Sequence, residues 1–245
     1  MVAAPSGCAS GSSTDPAGVA EAAVAATAAH PTGEFALTLG AGGNTVTAEG
    51  AFRLAEDQPA LRLDMAGLPG GASLAVVLVD DMVYVKLPPE QSPQPDKPWL
   101  GVPADSDDPA TARLTPLLDR LTRAVDPTTN LEILASGATV DEQGRDTVDG
   151  VATTRYAFTL DVAAALADPP EGTAEPSTAL RELANQGVTT VSYTVWLDDD
   201  DLPRRFEMTQ QTSGGPLTAK GTYAGWGQPV DIDPPPSAQT MRAGG

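Results

Sequence analysis

The sequence predicts an α+β fold: a single curved antiparallel β-sheet, or half-barrel, with helices packed on its concave side. Three observations predict this fold. Long stretches alternate apolar and polar residues with the period of two that is typical of half-buried strands. The chain of 245 residues contains 24 glycines and 23 prolines, which favours short strands joined by tight turns. Helical periodicity is confined to a few short segments, as in folds that segregate helices on one side of a sheet.

The first predicted element is an alanine-rich helix over residues 17–29. Asp15 is the expected N-cap and Pro16 the first helical residue. His30 and Pro31 end the helix, because a residue before proline avoids helical angles. Short strands then follow one another closely, which indicates an antiparallel meander; they are predicted over residues 34–40, 44–54, 60–66, 73–79 and 82–87.

Residues 74–79 are apolar at every position, unlike the neighbouring strands. A strand that is apolar on both faces must be covered on both sides of its sheet. Residues 88–109 are rich in proline and aspartate and are expected to form a loop. The spacing of the leucines then predicts an amphipathic helix over residues 114–125, which Asp126 and Pro127 end.

The second half of the chain again mixes strands with short helices. Asp149 and Gly150 predict the turn of a hairpin, and Gly187 is the expected left-handed end of a helix. Strands are predicted over residues 139–147, 151–161, 189–197, 202–211 and 217–226, and helices over residues 162–167 and 177–186. We therefore expect a disordered N-terminal tether over residues 1–16, one domain over residues 17–230, and a flexible C-terminal tail over residues 231–245.

Composition excludes several classes of function. The chain has 33 acidic and 14 basic residues and a formal net charge of -19, which repels nucleic acid. Cys8 and His30 are the only cysteine and histidine, so one chain cannot form an internal disulfide or a zinc site of four cysteines or three histidines. The phosphate-binding, dinucleotide-binding and nucleophile-elbow motifs are absent from the sequence. We expect no catalytic residue, no cofactor and no enzyme activity, although an unrecognised carboxylate pair stays open.

Two features invite a catalytic or metal-binding interpretation. The acidic run of residues 198–201 could hold a calcium ion, but Pro203 and Thr209 stand where an EF-hand needs glycine and glutamate. We interpret the run as a solvated hairpin loop. His30 is the only imidazole that could act as a base near neutral pH, and no nucleophile motif accompanies it. No metal site is predicted.

The N-terminus carries a candidate anchoring signal. Small residues precede Cys8, and a flexible stretch rich in serine and glycine follows it. This arrangement resembles the cleavage-and-lipidation box of bacterial lipoproteins, with Pro5 where that box usually has leucine. No apolar stretch approaches the ~20 residues that a membrane-spanning helix needs. We expect an exported chain that is anchored by lipid at Cys8 on the extracytoplasmic face of the cell membrane.

The apolar strand faces are the remaining candidate site. Aromatic residues make up only 4% of the chain, so the core is expected to consist mainly of leucine, valine and alanine. A large curled sheet with such a lining can surround a space that receives an apolar ligand. The same faces can also be ordinary core. From strand alternation we predict these cavity-lining residues: Leu74, Val76, Leu78, Val83, Val85, Tyr156, Phe158, Val195 and Met208.

Several motifs resemble the actinobacterial lipoproteins of the LppX/LprA/LprF/LprG group, whose fold is similar to that of the LolA and LolB carriers. The most specific is the run Val-Asp-Gly-Val-Ala-Thr-Thr-Arg-Tyr at residues 148–156. The others lie at residues 83–88, 97–100, 195–198 with 202–206, and 223–230; with Cys8, the likeness spans roughly residues 8–236.

The resemblance implies a half-barrel whose helices enclose a hydrophobic cavity for the acyl chains of a lipid or lipoglycan. It also implies attachment to the membrane through lipidated Cys8, and a monomer that carries or displays its ligand without catalysis. An envelope transporter is an expected partner. The alternative is a LolA-like envelope sensor that binds and regulates a partner protein.

Overall fold

The computed structural model describes residues 15–55, 58–90, 92–104, 125–135, 137–167 and 178–242. These residues form one twelve-stranded sheet and four α-helices. The sheet is curved and unclosed, and all of its pairings are antiparallel except the one that involves its last strand. The predicted α+β half-barrel is therefore confirmed.

The strands are long and mostly follow one another along the chain. In chain order they are β1 Thr32–Ala41, β2 Asn44–Arg53, β3 Ala60–Leu68, β4 Ala72–Val79, β5 Met82–Lys86, β6 Trp99–Pro103, β7 Thr139–Val148, β8 Val151–Asp161, β9 Val188–Asp198, β10 Pro203–Thr212, β11 Gly215–Ala224 and β12 Thr240–Arg242. Their order in the sheet is β12-β6-β5-β4-β3-β2-β1-β11-β10-β9-β8-β7.

The four helices are short, and the capping residues of the first are those that its sequence predicts. They are α1 Pro16–Ala29, α2 Thr128–Ala135, α3 Val162–Ala167 and α4 Thr178–Asn185. Asp15 caps α1 by accepting hydrogen bonds from the amides of Ala17 (3.2 Å) and Gly18 (3.3 Å), as predicted. His30 ends α1, and its amide donates to the carbonyls of Ala26 and Thr27. The predicted helix over residues 114–125 lies outside the described residues except for Val125.

Tight turns between strands set the register of two hairpins. The Asp80-Asp81 turn joins β4 to β5 with φ angles of 52° and 57°, and the Asp149-Gly150 turn joins β7 to β8 with φ angles of 48° and 83°. Positive φ at both central residues is the geometry of a two-residue hairpin turn whose twist matches that of the strands. The second of these turns confirms the hairpin that the sequence predicted at Asp149 and Gly150.

The structure differs from the sequence prediction in three places. Strand β6 lies within the segment 88–109 that was expected to be loop, and it pairs with β5. Helix α2 begins directly after the break at Asp126 and Pro127, where no helix was predicted. Residues 231–242, expected to be a flexible tail, lie against the sheet: Ile232 is buried and β12 pairs in parallel with β6.

The two faces of the sheet have different coverings. On the inner face, all four helices contribute to one large apolar cluster with side chains of the sheet, here called the inner cluster; Ala23 of α1, Leu131 of α2, Val162 of α3 and Leu180 of α4 belong to it. The opposite, outer face carries a second and smaller apolar cluster, here called the outer cluster. Its members are Ala51, Ala60, Val77, Val79 and Ile232, with Tyr84, Trp99 and Val230 at its margin.

Strand β4 contributes to both clusters, as its sequence predicts. Val76 faces the helices on the inner side, whereas Val77 and Val79 belong to the outer cluster. Ile232 of the C-terminal segment belongs to the same cluster as these two valines. The expectation that both sides of this strand are covered is thus met, and the C-terminal segment supplies part of the cover.

Candidate functional site

The structure places all nine predicted lining residues on the inner face. Four of them are buried in the inner cluster: Val76, Val83, Phe158 and Val195. The other five are partly exposed and pack against that cluster: Leu74, Leu78, Val85, Tyr156 and Met208. Strand alternation therefore assigns each of these side chains to one continuous apolar surface.

The inner face of β3 to β6 carries aliphatic side chains that stay partly exposed. Besides predicted residues of β4 and β5, these include Met65 on β3 and Leu100 on β6, which the sequence prediction missed. Met65 could have been found, since it follows the alternation of Leu61 and Leu63 along β3. Leu100 belongs to a strand that was not predicted at all.

A row of neighbouring aromatic rings, some stacked and some edge-on, crosses the middle of the inner face. Successive ring centroids are 5.8 to 6.4 Å apart along the path Phe158, Tyr193, Phe206, Tyr223, Phe52 and Phe35. Trp226 joins the row at 5.4 Å from Phe52. Seven of the eleven aromatic residues of the chain are in this row. The composition predicted an aliphatic core and did not indicate that the few aromatics would gather.

Two buried tyrosines bring hydroxyl groups to this apolar surface. Tyr193 is 1% exposed and Tyr223 is 4% exposed. Burial raises the pKa of both phenols, and the nearby Asp126 carboxylate raises them further, so both hydroxyls stay neutral at physiological pH. Asp126 stands directly before α2, where its Oδ1 accepts hydrogen bonds from the amide (2.8 Å) and hydroxyl (2.7 Å) of Thr128.

An open groove of about 1070 Å³ lies across strands β1 to β4 and β11. Its polar rim includes the outward-facing Glu49, Asp64, Lys220 and Thr222. Of the nine predicted lining residues only Leu74 contacts it. The sequence did not predict this groove, because it forms from strands at the two ends of the chain that the pairing of β1 with β11 brings together.

The outer face of β7 to β10 carries a charged and aromatic group. Trp196 lies directly opposite Arg155 on one neighbouring strand and Arg205 on the other. The Arg205 guanidinium is 4.8 Å from the indole ring, a cation–π distance, and the indole N–H donates to Asp146 Oδ2 at 2.9 Å. The arrangement stabilises the sheet and shows no feature of a catalytic centre.

The two motifs with a catalytic or metal-binding interpretation have structural roles. Asp198 accepts hydrogen bonds from the amides of Asp200 and Leu202, both at 3.0 Å, and pairs with Arg204 at 2.6 Å. The acidic run is therefore the hairpin loop that we predicted, with its first carboxylate committed to the turn. His30 lies at the end of α1, where its Nδ1 is 3.1 Å from the carbonyl oxygen of Ala26.

Solved structures of similar fold were found by comparison. The lipoprotein LppX of Mycobacterium tuberculosis aligns with 89% of this chain and 98% of its own, with a TM-score of 0.53 and 17% identity. LprF of Mycobacterium bovis aligns with 90% of this chain and 96% of its own, with a TM-score of 0.54 and 16% identity. The chain therefore has the fold of LppX and LprF, the group whose motifs its sequence resembles.

Comparisons of the sequence with known proteins match less of the chain than the structural comparisons do. No family model matches the chain. A Streptomyces griseus protein, described as an uncharacterized 31.2 kDa protein in the rplA-rplJ intergenic region, is 33% identical over 110 residues, which are 44% of this chain and 36% of that protein. The match thus spans about a third of the length of this relative. Among the described residues, none of the helices has the length and apolar character needed to span a bilayer.

Proposed function

We propose that the protein is an extracytoplasmic, membrane-tethered lipoprotein that binds a lipid or lipoglycan on the inner face of its half-barrel. It carries or displays this ligand, and no covalent step takes place. Two findings support the proposal: the fold is that of LppX, a protein named as a lipoprotein, and the inner face offers a continuous apolar surface. Acyl chains bind such surfaces by desolvation, at about 0.8 kcal/mol for each CH₂ group buried.

The single observation that carries the proposal is the partial exposure of aliphatic side chains on the inner face. Leu78 and Val85 lie on the same side of the sheet as the helices but stay partly exposed, although their neighbours Val76 and Val83 are buried. Apolar side chains that face inward and yet stay accessible provide a surface that a further apolar group can cover. An acyl chain of a bound lipid is the group that we propose.

The proposed anchor is a lipid attached at Cys8, which lies outside the described residues. Its support is the sequence alone: the small residues before the cysteine and the flexible stretch after it. A compliant spacer lets a folded domain stand away from the membrane while one residue stays in the bilayer. The intact mass of the protein from its own host tests this, since lipidation adds the mass of acyl chains, and a bare polypeptide mass contradicts it.

Native mass spectrometry of the protein purified from that host tests ligand binding. The wild-type chain is expected to carry a non-covalent lipid, and Val85→Trp is expected to carry much less, because the indole fills inner space. Lys86→Trp is the matched control: it puts the same side chain one position along β5, where Lys86 is exposed on the outer face, and leaves the bound lipid in place.

Three other outcomes would contradict the proposal that the inner face carries a lipid. A wild-type chain that never carries lipid argues against it. Stoichiometric recovery of one protein partner, equally with wild type and Val85→Trp, favours the alternative of an envelope sensor that binds a partner protein. Equal lipid loading of Val85→Trp and wild type places the ligand elsewhere, for example in the open groove of the outer face.

A further inference from the structure

Two leucines near one end of the half-barrel are exposed. Among the described residues, Leu39 at 38% and Leu217 at 41% are the large apolar side chains that are exposed to solvent. On the paired strands β1 and β11, Leu39 is opposite Ala219 and Leu217 is opposite Ala41. Leu37 and Ala219, two residues along each strand, belong to the inner cluster, so alternation places both leucines on the inner face. They are diagonal neighbours, roughly 7–8 Å apart.

This exposed pair continues the apolar surface of the inner face. Met208, which packs against the inner cluster, is opposite Ala219 on β11. Ala219 is in turn opposite Leu39, and Leu39 is opposite Val46 on β2. Met208 and Val46 are half-buried. An apolar row thus runs across four neighbouring strands, from the proposed ligand-binding surface to the exposed leucines.

The hairpin tips around these leucines carry no charge. The hairpins β1–β2, β3–β4 and β10–β11 occupy six consecutive places in the sheet, and their tips lie at the same end of it. The stretches that contain these tips, residues 35–48, 65–79 and 208–219, have no acidic, basic or histidine residue. We call the three tips, at residues 39–46, 66–74 and 210–218, the uncharged end.

Charge is distributed unequally between the two ends of the sheet. The turns at the opposite end contain carboxylates, at residues 80–81, 149 and 198–201. The segment 86–97, which follows β5 beside the uncharged end, has two positive and two negative charges. Burying an unpaired charge in an apolar medium is costly. In a chain of net charge -19, the uncharged end is therefore the part that enters such a medium at the lowest cost.

The composition of the uncharged end fits a bilayer better than a protein partner. Protein interfaces are enriched in aromatic residues and arginine. The three tips contain neither, and consist mainly of glycine, serine, threonine, alanine and leucine. Hydroxyl and backbone groups suit the hydrated headgroup layer, whereas leucine side chains suit the boundary of the acyl chains.

We propose that the uncharged end of the half-barrel docks on a lipid bilayer, with Leu39 and Leu217 at the level where the acyl chains begin. The inference goes beyond the proposed function, because it assigns the surface of the folded domain that meets the membrane. Docking in this orientation brings the apolar row that ends at Met208 next to the bilayer. An acyl chain then reaches the inner face with little exposure to water.

Binding to vesicles tests the proposal. The full chain is prepared with Cys8→Ser, which removes the site of the proposed anchor, and its binding to phosphatidylcholine vesicles is measured by flotation. We expect binding that high salt does not weaken, since the docking surface is uncharged. Leu39→Asp and Leu217→Asp should each weaken it about 10-fold, because leucine burial is lost and a charge meets the bilayer. Ala152→Asp is the matched control, since it adds the same charge at an exposed position near the opposite end and should leave binding unchanged.

A fluorescent label tests the orientation without changing either leucine, so this test holds even if an aspartate variant does not fold. In the Cys8→Ser chain, Ser213→Cys places one thiol on the tip of the β10–β11 hairpin, and Asp200→Cys places one on the acidic β9–β10 turn; both positions are exposed. Each is labelled with the environment-sensitive dye NBD. On addition of vesicles, the emission is expected to shift to shorter wavelength at residue 213 and to stay unchanged at residue 200.

The results that would overturn the proposal are distinct. Binding that requires anionic phosphatidylglycerol, or that high salt abolishes, would show an electrostatic contact and contradict it. A shift at residue 200 without one at residue 213 would assign docking to the acidic end. Vesicle binding that is equal in Leu39→Asp and wild type, together with loss of a protein partner in that variant, would make the patch a protein interface. A chain that carries lipid in native mass spectrometry but does not bind vesicles refutes this inference alone and leaves the proposed function standing.

Discussion

Trp196 on β9 lies among residues of three other strands on the outer face: β7, β8 and β10. It donates to Asp146 on β7, while Arg155 on β8 and Arg205 on β10 stand on either side of the ring. The hydrogen bond from Trp196 holds the pKa of Asp146 below its usual range, and a second bond from the amide of Thr147 acts in the same direction. The ionised carboxylate is therefore the form that the fold stabilises.

Trp196→Phe tests this link at the scale of a single residue. Without the indole N–H, the pKa of Asp146 is expected to rise toward its usual value; NMR titration of the side-chain carboxyl carbon measures it. Folding lowers the pKa of Asp146, so this carboxylate stabilises the folded chain at any pH above its pKa in the unfolded chain, which is about 3.9. That stabilisation is lost as the pH falls through the pKa of Asp146 in the folded chain. The variant should therefore lose less stability on acidification.

A matched variant controls for the general effect of charge. Arg145→Gln removes a cation from the same hairpin, but Arg145 pairs with Asp199 at 2.7 Å rather than with Asp146. Both side chains of that pair are about two-thirds exposed, so the pair is screened by solvent. The pKa of Asp146 should stay depressed in this variant. An Asp146 pKa that is unchanged by Trp196→Phe contradicts the assigned cause.

At the scale of elements, the C-terminal segment stabilises the edge of the sheet where β4 to β6 lie. Ile232 is buried in the outer cluster with Val77 and Val79, and the carbonyl of Asp231 accepts from an Arg62 nitrogen at 3.3 Å. Further along the chain, β12 pairs with β6 and shields the edge that this strand would otherwise expose. The segment therefore belongs to the folded domain and is not an appendage.

Ile232→Ala tests that role. Truncating a buried isoleucine is expected to lower the free energy of unfolding by about 2–5 kcal/mol, as measured by chemical denaturation. The neighbouring Asp233→Ala, at an exposed position, should change it by no more than about 0.5 kcal/mol. Equal stability of the two variants and wild type would mean that residues 231–242 are dispensable for the fold.

The sequence predicted those elements whose signal is local. The cap at Asp15, the hairpin at Asp149 and the alternation along β1 and β3 all depend on residues within a few positions of one another, and each is present in the structure. Strand β6 was missed because it lies in a segment rich in proline and aspartate, and β12 was missed because it pairs with β6 across 140 residues of chain. No local pattern contains that information.

The candidate site also has features that local sequence predicts and features that it does not. Alternation places Val85, Phe158 and Met208 on the inner face, since the side-chain period of a strand is two. It cannot show that Phe52 of β2 and Tyr223 of β11 become neighbours, which requires the pairing of β1 with β11. The aromatic row and the outer groove both depend on strand order, so sequence reasoning alone did not find them.

At the scale of the whole molecule, the two faces of one sheet offer two chemically different surfaces. The inner face is apolar and contacts all four helices. The outer face carries an open groove with charged groups such as Glu49 and Lys220. We assign the acyl ligand to the inner face, and the outer groove is the competing location.

Photo-crosslinking with an acyl lipid that bears a diazirine at the middle of its chain tests that assignment most directly. After irradiation and digestion, mass spectrometry identifies the labelled residues. We expect labels at inward positions that do not line the outer groove, such as Leu78, Tyr156 and Met208, and loss of these labels in Val85→Trp. Labels confined to outer-groove residues such as Lys220 and Thr222, with none at the inward positions, would contradict it.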